Sequence, residues 1–187
     1  MRKINLGCGG NIIPGWENYD MDVDMTRPLP FENESIDFIF VEHALEHISM
    51  HNGVKFLTEC YRVLKKDGII KIIVPDITVL HRNTNHPYIN EYLRFCKERG
   101  WCDGTVGGNI HGLTFLHGHE SLWTQDLLKA ILFSIGYSKA DNDHVHRSSH
   151  AELDEIAGHW KVYNFLSPGI DGRTINEMDS SCVEGIK

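Results

Sequence analysis

The sequence carries no paired-cysteine motif: Cys8, Cys60, Cys96, Cys102 and Cys182 are scattered, odd in number and never spaced as CxxC. That excludes a disulfide frame and a thiolate zinc knuckle. There is no run of lysine or arginine either, and the net charge is −8 with histidine neutral. The basic footprint that a phosphate backbone requires is therefore missing, and a small or neutral substrate is expected in place of a nucleic acid. No apolar run approaches the roughly 18 residues of a membrane span, and nothing near Met1 looks like a signal peptide, which predicts a cytoplasmic protein without a membrane partner. Also absent are GxGxxG and a Lys-Ser/Thr pair after the first glycines, which removes the dinucleotide fingerprint and the P-loop.

What is present begins at Ile4 and runs to Met25, INLGCGGNIIPGWENYDMDVDM. Ile4 to Leu6 reads as the end of a buried strand, and Gly7-Cys8-Gly9-Gly10 turns the backbone sharply while leaving its N–H groups uncovered. A second strand, Glu17 to Met21, delivers Asp20, an acceptor-only carboxylate suited to both hydroxyls of a ribose. Glycines and acid together suggest a nucleoside with little or no phosphate. The chain's 187 residues, 41% of them hydrophobic, suffice for one domain with a proper core.

These residues resemble the class I S-adenosylmethionine-dependent methyltransferases, in particular the small predicted methyltransferases of type 11. The likeness continues in order along the chain. Asp24-Met25 followed by Leu29-Pro30-Phe31 and Ser35-Ile36-Asp37 resembles the family's D…LPF…SFD. Leu45-Glu46-His47 resembles its LEH element, and ECYRVLKKDGIIKIIVPD its E..RVLKPGG strand. Thr124 with Leu127, Leu128, Ile131, Ile135 and Gly136 resembles its late T…L…G helix. The resemblance implies an α/β fold with a Rossmann-like, mostly parallel sheet, an antiparallel last strand at Ser180 to Ile186, helices on both faces and a reduced N-terminal region. It implies S-adenosyl-L-methionine as cofactor, with Leu6, Gly7, Cys8, Gly9, Asp20, Met21, Asp24, Met25, Glu42 and His43 around it. Asp24 would sit near the adenine amino group and Met25 against the ring. It also implies methyl transfer to a small-molecule acceptor, in a setting of sugar metabolism, although no residue demands a sugar.

Read along the chain, five parallel strands are accounted for by Pro75. Val54, Leu57, Tyr61 and Leu64 mark a helix stopped at Gly68, before a strand over Ile69 to Val74. Pro14-Gly15 interrupts the first crossover, so that helix is expected to be lost and one sheet face to be covered by a later segment or a partner subunit. The resemblance also implies a helix before the first strand that covers the cofactor; with the first strand beginning near Met1 that lid is expected to be absent, and a homodimer is expected as one way to close the site. Residues 77–122, with one amphipathic helix at Ile89, Tyr92, Leu93 and Cys96, read as a substrate and lid insertion within a single domain spanning 1–187. Strand six is expected within Ser138 to Val145.

Twelve histidines need an account. His43, His111, His117 and His119 are the candidate catalytic residues, since an oxygen or nitrogen nucleophile must shed a proton and an imidazole suits that role. His111, His117 and His119 with Glu120, and His144 with His146, could instead bind zinc, but HExxH is absent, and no metal is expected. A non-catalytic cofactor-binding or assembly protein and a histidine-rich metal-dependent hydrolase are the alternatives. Trp101, Trp123 and Trp160 could stack on a ring or serve as core.

Overall fold

Two short apolar strands set the start of the sheet. A computed structural model describes residues 1–158, 161 and 172–187. In it β1 (Lys3–Leu6) lies between β2 (Glu17–Tyr19) and β3 (Ile36–Glu42), parallel to both. β3 and β4 (Leu64–Pro75) are β-branched and aromatic runs buried on both sides, as central parallel strands are. β5 (Lys139–Asp143) and β6 (Ser180–Ile186) complete the order β2-β1-β3-β4-β6-β5, with β6 alone antiparallel. The expected sheet, antiparallel last strand and sixth-strand position are all found.

Four parallel strands, not five, precede residue 76. Residues 20–35 run as turns, because Pro28 and Pro30 bring no N–H to a ladder. Helix α1 (Met50–Val63) satisfies this segment through side chains: Glu59 accepts from Leu29 N at 2.9 Å, and Arg62 donates to the carbonyls of Leu29 and Phe31 at 3.0 Å each. α1 also ends earlier than its glycine suggested. Leu64 is already extended and joins β4, and the left-handed residue is Asp67 (φ 62°), not Gly68. The buried face of α1 is Phe56, Leu57, Cys60 and Val63.

Three helices occupy residues 77–122, where one was expected: α2 (Ile77–Arg82), α3 (Ile89–Glu98) and α4 (Val106–Phe115). α4 escaped notice because VGGNIHGLTF holds three glycines and no apolar period; Thr105 starts it by accepting from Gly108 N at 3.0 Å. α3 and α4 build their own small core, with Leu80, Tyr92, Leu93, Phe95 and Met178 at its centre. α5 (Gln125–Ile135) has the expected Thr124 cap and Gly136 stop, and it buries Leu128 and Leu132 while Leu127 stays exposed. α6 (Gly172–Asp179) leads into β6. Asp76 ties these parts together from full burial, capping α2 through Thr78 N and accepting from Gln125 N at 3.0 Å.

No helix joins β1 to β2 among the described residues. Asn5 and Asn18 hold the loop instead: Asn5 donates to Asn11 O at 2.8 Å, and Asn18 donates to Ile13 O and Trp16 O. The sheet face above this loop carries Ile13, Trp16, Phe38, Phe40 and Ile73, and is covered by Val145, Leu153 and Ala157 from a later segment. α1 and α5 cover the other face. No helix among the described residues is long and apolar enough to cross a membrane.

Candidate functional site

A cleft of about 470 Å³ opens where β1, β3 and β4 end, within the roughly 300–1,000 Å³ usual for small-molecule sites and at the carboxyl edge where open α/β sheets bind ligands. Its lining includes the loop 7–11, the end of β3 and the residues after it (Glu42, His43, Glu46 and His47), and residues of α3, α4 and the turns beside them (Tyr92, Trp101, Asn109, Leu113, His117 and His119), with Pro75, Gly158 and Asp179.

The loop is shaped by its sequence. Gly7 has φ 66°, and a Cβ built on it would collide with the Cβ of Ala44, so the chain passes where only glycine fits. Cys8 N donates to Tyr19 O at 3.0 Å and Asn11 N to Cys8 O at 2.7 Å, closing the turn. Burial pushes the Cys8 thiol up, with Asp20 adding to the effect, so this cysteine is not a ready nucleophile. Asp20, one residue beyond β2, accepts from Gly9 N at 3.2 Å. Met25 Sδ approaches Gly7. Asp24 is turned to Thr26 and Arg27, while Met21 is 93% exposed, and neither lines the cleft. Leu6 is buried at the end of β1.

Glu42 and His43 stand at the tip of β3. Glu42 accepts from Gly158 N at 2.8 Å and from Asn11 Nδ2 at 3.1 Å, linking the loop to the later covering segment. His43 has φ 49°; its Nε2 lies 3.3 Å from Asn176 Oδ1 and 3.2 Å from Ser180 Oγ, and its Nδ1 3.4 Å from Glu46 Oε1. Burial lowers the His43 pKa to about 4 and raises that of Glu46 to about 7, so near neutrality the contact joins two uncharged groups more than an ion pair.

That burial has a measurable consequence. The folded pKa of Glu46 exceeds its ordinary 4.5, so its contribution to stability is complete below pH 4.5 and is lost as pH rises through 7. His43 acts oppositely, its contribution being complete above 6.5 and lost as pH falls through 4. Glu46→Gln removes only the first effect. Urea unfolding with EDTA present should show the stability difference between variant and parent moving by about 2–3 kcal/mol in the variant's favour from pH 5 to pH 8. An unchanged difference would refute the burial argument.

Of the four catalytic candidates, the cleft gathers His43, His117 and His119. His111 is exposed on α4, its ring 5.0 Å from that of Phe115, and does not line the cleft. Burial lowers the His117 pKa. His144 and His146 lie apart from this cleft, each near Glu177 at 3.5 and 4.0 Å. Trp101 lines the cleft, Trp123 is wholly buried core, and Trp160 lies outside the described residues. Asn11, Glu46 and Asn109 carry no signal as site residues in the sequence; Glu46 stands in the quoted LEH element without a role, and Tyr92 is expected only as part of an amphipathic helix.

The family model of the methyltransferase domain matches residues 5–72. Among solved structures, a SAM-dependent methyltransferase from Archaeoglobus fulgidus is 14% identical, with a TM-score of 0.55 over 100% of this chain and 86% of its own. One chain of a Haloferax volcanii complex between the Trm112 methyltransferase activator and a methyltransferase is 12% identical, with a TM-score of 0.52, covering 99% and 81%. The CMeT domain of a citrinin polyketide synthase is 13% identical, with a TM-score of 0.52, covering 99% of this chain and 46% of that one. No curated protein matches the chain. Sheet order and cleft define a Rossmann-like methyltransferase fold. The methyltransferase-domain match over residues 5–72 and this fold are what the chain shares with the S-adenosylmethionine-dependent methyltransferases, whose cofactor is S-adenosylmethionine.

The residues present fit that cofactor. A Cβ at Gly9 or Gly10 would meet nothing within 4 Å, so the loop backbone is open to a ligand. Asp20 spends one oxygen on Gly9 N, and a carboxylate has lone pairs left for two hydroxyls.

Proposed function

We propose that this chain transfers a methyl group to a small polyhydroxylated acceptor held between the glycine loop and the α3–α4 segment. One observation carries the reading: the loop 7–11 and the imidazoles of His43, His117 and His119 line a single cleft. S-adenosylmethionine, when bound, supplies a methyl group already activated on a sulfonium. The protein's own part is then alignment and exclusion of water, which together account for most of what such a reaction needs. The loop 7–11 and Asp20 hold the cofactor, with Met25 on its adenine side. An acceptor hydroxyl loses its proton to an imidazole of the cleft as its oxygen attacks in line.

A sugar-like acceptor is supported by two lining residues. Trp101 offers a half-buried ring, and Asn109, 2% exposed, has an amide Nδ2 without a hydrogen-bond partner among the described residues. Rings that stack and amides that donate are what a polyol recognises.

Calorimetric titration with S-adenosylmethionine and S-adenosylhomocysteine tests the cofactor half. Binding should be in the micromolar range and should weaken at least about tenfold in Asp20→Ala, the loss of a charge-assisted bond. Equal affinity in the variant would remove Asp20 from the site. A panel of sugars and simple alcohols, assayed with labelled methyl donor, tests the acceptor half; turnover of none would count against the proposed class.

A further inference from the structure

The cleft holds a group of ligating side chains of which the acceptor reading uses only His119. Glu46, His47 and His119 each present one donor atom within 4.8 Å of the other two. We propose that these three residues form a binding site for a divalent first-row transition-metal ion on the acceptor side of the cleft. Zinc is the reference ion.

Several independent features converge there. Glu46 is 2% exposed and, although His43 Nδ1 lies 3.4 Å from its Oε1, neither of its carboxylate oxygens makes a hydrogen bond among the described residues. A carboxylate buried in that way is costly unless a cation faces it. His119 is already oriented as a ligand: its Nδ1 lies 2.6 Å from Leu113 O, and because a carbonyl only accepts, that nitrogen carries the hydrogen and Nε2 keeps the lone pair. Such a backbone contact fixes tautomer and ring in metal-bound histidines. The His47 and His119 rings meet edge to face with centroids 5.0 Å apart.

The two ligand segments are also clamped together, although 72 residues separate His47 from His119. Glu120 N and Ser121 N donate to Glu46 O at 2.8 and 3.2 Å, and Ser121 Oγ donates to Ile48 O at 2.7 Å. The ligands therefore need only side-chain rotation to close on an ion. Two imidazoles with one carboxylate favour zinc, manganese, iron or cobalt over magnesium or calcium, which prefer all-oxygen shells. Three protein ligands leave a position facing the cleft, as catalytic sites do. An acceptor hydroxyl binding at that position would be oriented and made more acidic. This role rests on the methyl-transfer reading; the ion binding itself does not. His47 and His119 then serve as ligands, leaving His43 and His117 as proton acceptors.

The test uses tag-free full-length protein stripped with a chelator and titrated calorimetrically with zinc chloride. One equivalent should bind, with affinity falling about 10- to 100-fold in His119→Ala and in Glu46→Gln. His111→Ala, on the exposed face of α4, should bind zinc as the parent does. Cobalt(II) absorption, reporting nitrogen ligands, should weaken in His47→Ala and not in His111→Ala. Absence of stoichiometric zinc binding, or equal loss in the His111 variant, overturns the proposal. The same stripped parent protein is titrated with S-adenosylhomocysteine. Cofactor binding without zinc binding sinks the metal site and leaves the methyltransferase reading intact, whereas zinc binding without cofactor binding does the reverse.

Discussion

Gly7→Ala should abolish measurable S-adenosylhomocysteine binding and destabilise the fold by roughly 2–5 kcal/mol, the sum of a left-handed backbone penalty and an overpacked contact. Both terms have a source in the structure. Gly7 sits at φ 66°, where a Cβ is strained, and that Cβ would collide with Ala44, the residue two places after β3. Neither neighbour yields easily, since Leu6 before the glycine and Leu45 beside Ala44 are wholly buried. The strain would be relieved by moving the loop 7–11, which lines the cleft. Gly9→Ala is the comparison, because Gly9 also has positive φ (47°) but nothing within 4 Å of its Cβ. It should cost about 1 kcal/mol and leave cofactor affinity within a few-fold. Adding Ala44→Gly to Gly7→Ala should recover the packing part of the loss and not the backbone part. Thermal unfolding and calorimetry on the four proteins decide the matter; a Gly7→Ala protein as stable as Gly9→Ala would show that the close approach does not matter.

What could be read from the chain and what could not divide by sequence separation. The glycine turn, Asp20, the two central strands and the cap and stop of α5 are local signals, each carried by a handful of consecutive residues, and each is where the chain said it would be. The replacement of the first crossover helix was also legible, because Pro14-Gly15 forbids it. The failures are of another kind. The count of five strands failed because the segment between Asp20 and Ile36 is a run of turns held by Glu59 and Arg62, whose bonds reach back some 30 residues. Of the histidines that looked grouped, His111 stands apart on α4, whereas His117 and His119 share the cleft with ring centroids 5.8 Å apart. The cleft also sets His119 beside Glu46 and His47. No pattern of spacing announces such a pairing, since the turn at Glu120 and Ser121 that creates it is bonded to a backbone carbonyl. Lys71 was hidden for the same reason, a single charge inside the apolar run IIKIIV.

Lys71→Met should destabilise the protein by about 3–5 kcal/mol, the cost of stripping one partner from a buried pair, lowering the midpoint of thermal unfolding by roughly 10 °C for a chain of this size. Lys71 is wholly buried in β4, and its ammonium reaches Glu184 Oε1 on the adjacent β6 at 3.2 Å. It also donates to the carbonyls of Arg147 at 2.6 Å and His144 at 3.2 Å. Those carbonyls belong to the stretch beside Val145 that, in place of a crossover helix, covers the open sheet face. Methionine keeps the length and apolar stem of lysine, so packing loss is small and the effect isolates the charge. It leaves Glu184 buried, with His150 Nδ1 at 3.1 Å among its contacts, and unties the covering stretch. The double variant Lys71→Met with Glu184→Gln separates these effects. Removing both charges should restore about half or more of the lost stability, because a buried pair replaced by neutral groups is often close to neutral. What stays lost is the anchoring of residues 144–147, and hydrogen exchange at Val145 and Leu153 should remain fast in both variants. If Lys71→Met unfolds with the parent's midpoint, the ammonium is not what fastens the covering segment to the sheet.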